Sequence, residues 1–244
     1  MIRNIFNTTT LLVLIVISAF VVPNQAISGT IPPIDNRLLV LGDSLTAGLY
    51  ASSENTTYAR LVADATGMQL ARRYVSTLDL AVAEWTKVKA WHPALIVLEV
   101  GLNDVSKGHY GPEWEGQYQS LVQDMQETGA HVVTATMFWA GITKSHPQFN
   151  DYIALNESIR NVAQATGAEV ADLWSATLDC VDCVSTQTQI SYWGPDYHGD
   201  GFHPNDVGHA LIAEAIINAV CRCQCDPNVP EPVRYLYYFP SLRG

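Results

Sequence analysis

Arg37-Leu38-Leu39-Val40-Leu41-Gly42-Asp43-Ser44-Leu45 is the stretch that decides how this chain is built. An apolar run without polar alternation suits a strand covered on both faces. The Gly-Asp-Ser behind it is turn chemistry, because glycine admits tight bends and Asp and Ser bond to nearby backbone. A strand that turns straight into a helix carries the turn's side chains to the rim of a sheet. It also leaves free backbone N–H groups at the helix start. Ser44 there would have the exposure of a nucleophile and the donors an oxyanion needs. Plain turn formation accounts for the same three residues, so the reading needs support from the rest of the chain.

The rhythm of the opening stretch repeats. Residues 69–75, 94–100, 131–138 and 169–173 read as further strands. Helices are predicted over 57–65 with Gly67 as the stop, 80–91 ahead of Pro93, 114–128, 151–166 ahead of Gly167, and 205–220, where Asn205 or Asp206 caps the first turn. Strands alternating with helices predict an α/β fold, a three-layer α/β/α sandwich around a central five-stranded parallel sheet of the flavodoxin-like kind. Chemistry in such sheets gathers at the carboxyl ends of the strands. That places residues 42–46 and 101–105 at one rim, with a loop arriving from the end of the chain. Two stretches interrupt the rhythm: 139–150, and 175–199 with Tyr192, Trp193 and Tyr197. Loops this long are usually functional or disordered. Trp139, Trp193 and Tyr197 are candidates for lining an acyl or sugar site, or simple anchors.

The 244 residues suffice for one α/β domain, assigned to 34–225, and an apolar content of 48% predicts a packed globule. A net charge of -11 argues against nucleic acid and gives no attraction to anionic membrane surfaces. Residues 1–26 have the layout of a secretory leader: Arg3, an apolar run over 11–22 broken only by Ser18, then Pro23, Asn24, Gln25 and Ala26. Cleavage predicts a secreted or periplasmic protein. An uncleaved anchor is the alternative, because the run lengthens if counted from Ile5 and Asn24 fits the cleavage site poorly. Residues 226–244 form a tail, first Pro-rich and then aromatic (Tyr235, Tyr237, Tyr238, Phe239), expected to pack on the body or on a partner. Cys180 and Cys183 make a CxxC; Cys221, Cys223 and Cys225 make a CxCxC. Export favours disulfides over a zinc site, and a bridge between the two groups would tie the last helix to the long loop, although the pairing stays open. Asn55-Thr56-Thr57 and Asn156-Glu157-Ser158 are glycosylation sequons or chance.

Two further motifs support Ser44. In Gly101-Leu102-Asn103-Asp104, directly behind the third strand, Asn103 can aim an amide N–H at a substrate oxygen, while Asp104 is expected to brace the loop. In Asp200-Gly201-Phe202-His203-Pro204, ahead of the last helix, carboxylate and imidazole stand three positions apart. Asp200 can hold the ring N–H and steady the imidazolium.

The three motifs, in this order, resemble the GDSL (SGNH) hydrolases over most of residues 36–220. The resemblance implies Ser44 as nucleophile, His203 as general base and acid, and Asp200 as its partner. It also implies an oxyanion hole from the Ser44 N–H and the Asn103 amide. The family's glycine after the second strand, a further donor, has no counterpart, since no Gly lies between Gly67 and Gly101. Thr77 is the best positional match and Ser76 the second. A backbone N–H requires glycine only if φ is positive. The reaction implied is acyl transfer to water without metal or organic cofactor. Its substrates would be small-molecule, lipid or glycan esters: lipase, esterase, thioesterase or carbohydrate O-deacetylase chemistry, with O-acyl transfer as a variant. A binding module that keeps the fold without turnover is the reading from another class. Oligomeric state is not legible.

Overall fold

The computed structural model describes residues 36–194 and 199–224. The sheet consists of β1 (Arg37–Gly42), β2 (Gln69–Tyr74), β3 (Leu95–Glu99), β4 (His131–Ala135) and β5 (Glu169–Ala171). It is parallel throughout, in the order β2-β1-β3-β4-β5. Leu38 to Leu41 are wholly buried, as are Ile96 to Leu98 and Val132 to Ala135, which accounts for the nearly unbroken apolar runs, Thr134 being the one polar residue among them. The longer helices are α2 (Tyr58–Thr66), α3 (Leu78–Val88), α5 (Trp114–Glu127), α6 (Phe149–Thr166) and α8 (Asp206–Gln224). α2 and α8 pack together on one side of the sheet, while α3, α5 and α6 adjoin one another on the other. This is the expected α/β/α sandwich. The strand order reverses between β1 and β3, which puts the crevice at their carboxyl ends.

Periodicity does not reveal three short helices: α1 (Ser44–Ala47), α4 (Leu102–Ser106) and α7 (Leu173–Thr177). Each is little more than a turn, too short for a hydrophobic repeat. They start just beyond β1, β3 and β5 and so build the carboxyl rim. Two strand ends are shorter than expected. β4 stops at Ala135, where the Thr136 hydroxyl turns away to Asp172 at 3.1 Å and takes the Trp174 N–H at 3.0 Å. β5 stops at Ala171, and the Asp172 side chain then caps α7.

Several expectations need correction. Cys180 and Cys183 are joined to each other, so neither bridges to the Cys221 segment or remains as a thiolate for zinc. Asn156 cannot carry a glycan: it is buried on α6 and its Oδ1 accepts the Met137 N–H at 2.9 Å. Asn55 is exposed. Trp139 belongs to the buried core, whereas Trp193 is half exposed. The leader, the tail, Cys225 and Tyr197 lie outside the described residues, as does the Cys223 side chain. No helix among the described residues is long and apolar enough to cross a membrane.

His209 joins α8 to α2. It is completely buried, its Nδ1 accepts the Tyr58 N–H at 3.3 Å, and its ring stacks on that of Tyr58. Burial pushes its pKa down to about 4, against 6.5 for a free imidazole. The unfolded chain therefore takes up a proton that the folded chain refuses. This contribution is complete above pH 6.5 and is lost progressively as the pH falls toward 4. We expect the urea midpoint to drop over that window, and His209→Gln to flatten the drop. An equally steep decline in the variant would show that His209 is not its source.

Candidate active site

Ser44 is the first residue of α1, one position beyond the β1 turn. Asp43 caps the helix, its Oδ1 accepting the Leu45 N–H at 3.0 Å. That cap sets the direction in which Ser44 leaves the sheet. The turn admits only glycine at 42: a Cβ there would lie 2.2 Å from Thr46 Oγ1 and 2.6 Å from both the carbonyl and the carboxyl of Glu99.

Ser44 Oγ lies 2.8 Å from His203 Nε2, and His203 Nδ1 lies 2.6 Å from Asp200 Oδ2. A carboxylate at Nδ1 places the ring proton there and leaves Nε2 to accept from the serine hydroxyl. Burial works against the Asp200 charge. The His203 backbone and ring N–H groups and the Phe202 N–H outweigh it, and hold the carboxyl below the ordinary range. Ser185, itself buried, accepts the Asp200 N–H at 3.1 Å and offers its hydroxyl to Oδ1 at 3.2 Å.

The arm carrying Asp200 and His203 is tied to the segment beneath it. Val184 and Pro204 form an antiparallel bridge, the Ser185 N–H donates to His203 O at 2.8 Å, and the Gly201 N–H donates to Ser185 O at 2.9 Å. Asn205 closes the arm. Its N–H donates to Cys183 O at 2.9 Å, its side-chain amide to Asp182 O at 2.7 Å and Val184 O at 3.1 Å, and its Oδ1 takes the Gly208 N–H at 3.0 Å. The disulfide turn is thus the floor on which the Asp200–His203 arm stands.

Asn103 sits in the first turn of α4 and donates one Nδ2 hydrogen to Asp43 Oδ2 at 2.9 Å. A carboxamide has a second N–H for another acceptor. Asp104 braces the rim as expected, both its oxygens lying 3.2 Å from the Leu78 N–H. Thr77 is the N-cap of α3 with φ −143° and ψ 166°. That is extended backbone, which any residue adopts, so a donor at this position would not require glycine. The exits of β2 and β1 are joined by the Val75 N–H on Gly42 O at 2.7 Å.

The rings of Tyr50 and Phe202 flank His203 at centroid distances of 5.5 and 5.3 Å. Tyr50 has φ +62°, costly for a residue with a Cβ. It is held there by Gln189 Nε2 on its carbonyl at 2.5 Å and by Ser191 Oγ facing its N–H at 3.3 Å. An open cleft beside Phe202 is lined by Ile142, Thr143, His146 and Pro147.

Sequence reasoning missed Tyr50, Ser185 and Glu99. Glu99 did carry a signal, as the one ionisable residue in an otherwise apolar buried strand. Nothing in the sequence marks Ser185, and nothing announces the positive φ of Tyr50.

A parallel sheet with a serine–imidazole–carboxylate relay at its carboxyl rim has the architecture of the α/β serine hydrolases. The chain belongs to the GDSL-like lipase/acylhydrolase family, whose sequence profile matches residues 40–211, and it is an ester hydrolase. No curated protein sequence matches it. Solved structures similar to it include a variant of Axe2, an acetyl xylan esterase from Geobacillus stearothermophilus, at 19% identity and a TM-score of 0.59, covering 76% of this chain and 94% of that one. The acetyl xylan esterase AlAXEase is 23% identical with a TM-score of 0.58, covering 75% and 99%. LAE5, an α/β hydrolase from the metagenome of Lake Arreo, Spain, is 20% identical with a TM-score of 0.61, covering 76% and 95%. At these identities the structures bear on the fold alone.

Asn205→Ala removes the α8 cap and both side-chain ties to the segment beneath, leaving the backbone bond to Cys183 O. Loss of an Asn cap alone costs about 0.5–2 kcal/mol. We expect a lower urea midpoint and, because the arm loosens, a lower kcat for p-nitrophenyl acetate. Unchanged kcat with the midpoint lowered would mean that the arm does not depend on these ties.

Proposed function

We propose that this chain is a secreted serine esterase in which Ser44, His203 and Asp200 form the catalytic triad. The unbroken relay from Ser44 Oγ through His203 to Asp200 carries this reading. His203 Nε2 takes the hydroxyl proton as Oγ attacks the ester carbonyl. The oxyanion is received by the Ser44 N–H, the second Asn103 N–H and the Thr77 N–H. His203 then gives its proton to the departing alkoxide, leaving an acyl-Ser44. A water, deprotonated by the same nitrogen, attacks the acyl carbon, and the proton passes back to Oγ as the acid leaves.

For the substrate, we favour esters of short acids on large, solvated alcohols, carbohydrate O-acetyl esters among them. The open cleft beside Phe202 suits such an alcohol better than it suits a long acyl chain. The aromatic flanks Tyr50 and Phe202 suit the apolar faces of a sugar ring. The acetyl xylan esterases among the structural neighbours agree with this choice. For the location, the leader-like residues 1–26 and the Cys180–Cys183 disulfide support export to an oxidising compartment.

Ser44→Ala is expected to abolish hydrolysis of p-nitrophenyl acetate. Equal rates in variant and native protein would end the triad assignment. In a series of p-nitrophenyl esters, kcat/KM should fall from acetate to longer acids, and acetylated xylan should release acetate. Preference for decanoate with no acetate released would favour lipid esters instead. Mass spectrometry of the protein from its native host should find a mature N-terminus after Ala26; an intact leader would indicate anchoring.

A further inference from the structure

Behind the nucleophile lies a run of buried polar groups that the acyl-transfer steps do not use. The Asp43 N–H donates to Glu99 Oε2 at 3.2 Å, and the Thr46 hydroxyl reaches the same oxygen at 3.3 Å. The Tyr58 and Thr46 hydroxyls are hydrogen-bonded to each other. Asp43 and Glu99 are almost completely buried, and among the described residues no ion pair links either to Lys or Arg. Asp43 is nevertheless well supplied with donors, the Leu45 N–H on Oδ1 and the Asn103 amide on Oδ2. Glu99 has only the two longer contacts, both on Oε2, from the Asp43 N–H and the Thr46 hydroxyl.

We propose that Asp43 and Glu99 act as one positioning unit for the oxyanion hole: Asp43 holds one N–H of Asn103 so that the other faces the Ser44 centre, and Glu99 braces Asp43 from behind. This rests on the assignment of Asn103 as an oxyanion donor. Two unpaired carboxylates so close together in a dry site cannot both stay charged. Burial, and next the charge of Asp43, push the Glu99 carboxyl well above its ordinary range, so Glu99 keeps its proton. A neutral Glu99 can donate that proton to Asp43, and it accepts the Asp43 N–H and the Thr46 hydroxyl at its other end. Asp43, with two N–H donors already in place, then remains the acceptor that Asn103 requires. Without that acceptor the carboxamide is free to rotate or flip, and an oxyanion donor is effective only where its geometry is fixed in advance.

A double-mutant cycle tests this with p-nitrophenyl acetate, using Asp43→Asn and Asn103→Ala singly and together. Asparagine also caps helices, so α1 should survive the Asp43 change. Removing one oxyanion donor costs about 10²–10³ in rate. Asp43→Asn is expected to lower kcat about 30- to 100-fold with KM nearly unchanged, because the missing contact is made to the developing oxyanion. In the Asn103→Ala background the same change should cost less than about three-fold, since there is no amide left to aim. An equal loss in both backgrounds, or no loss in the native background, would overturn the proposal. If Asn103→Ala alone leaves kcat unchanged, the oxyanion assignment fails instead. Should Asp43→Asn not fold, Glu99→Ala is measured in the same two backgrounds, with Glu99→Gln alongside. Glutamine keeps a donor toward Asp43 and should recover most of the kcat lost in Glu99→Ala. Equal kcat in the alanine and glutamine variants would also overturn the proposal.

Discussion

The hydrogen bond from Ser44 to His203 joins two residues 159 positions apart, and the proposed chemistry of the rim depends on it. Such a bond contributes only about 1 kcal/mol net, far too little to hold a loop in place. The dependence runs the other way: the loop must be held by other means so that the bond can form. The Val184–Pro204 bridge, Ser185 on both sides of Asp200, and the three-way grip of Asn205 supply that restraint. Gly208 allows α8 to come down on the same floor. A Cβ there would lie 2.4 Å from Cys183 O. Ser44 needs less support, because β1 lies between β2 and β3 and α1 has a capped start.

The two halves of the site are thus built on different principles. Ser44, Asn103 and the Thr77 backbone stand at the ends of parallel strands and inherit the rigidity of the sheet. Asp200 and His203 stand on an irregular arm, whose rigidity comes from backbone hydrogen bonds and one short covalent loop. Tyr50 and Phe202 meet His203 at the seam between these halves. The left-handed backbone of Tyr50 is maintained by Gln189 and Ser191, residues of the long loop rather than of the sheet. The Tyr50 ring beside His203 and the Asp200–His203 arm are therefore stabilised by the same loop.

Much of this was legible in the sequence because apolar runs and turn residues act locally. The run from Leu38 to Leu41 announces a central strand, and Asp200 to His203 announces a carboxylate–imidazole pair, since both depend on residues only a few positions apart. What stayed hidden depends on partners far away in the chain. The sequon at Asn156 looks like a surface feature until α6 turns it toward the Met137 N–H. The cysteine spacing suits a bridge to the last helix as well as it suits the short loop that forms. The rim helices α1, α4 and α7 are too short to repeat any pattern. The extended φ of Thr77, where the resemblance expects a glycine, is likewise announced by no sequence pattern.

The space at Gly42 has a consequence for how this rim can change over time. The volume that a side chain at 42 would need is filled by Thr46 and Glu99, so the tight turn and the buried acid exclude each other's alternatives. A smaller residue at 46 or 99 would not admit a side chain at 42, because the backbone carbonyl of residue 99 would still lie 2.6 Å from its Cβ. Two genes descended from a common ancestor should therefore drift at the residues beneath the turn while both keep glycine in it.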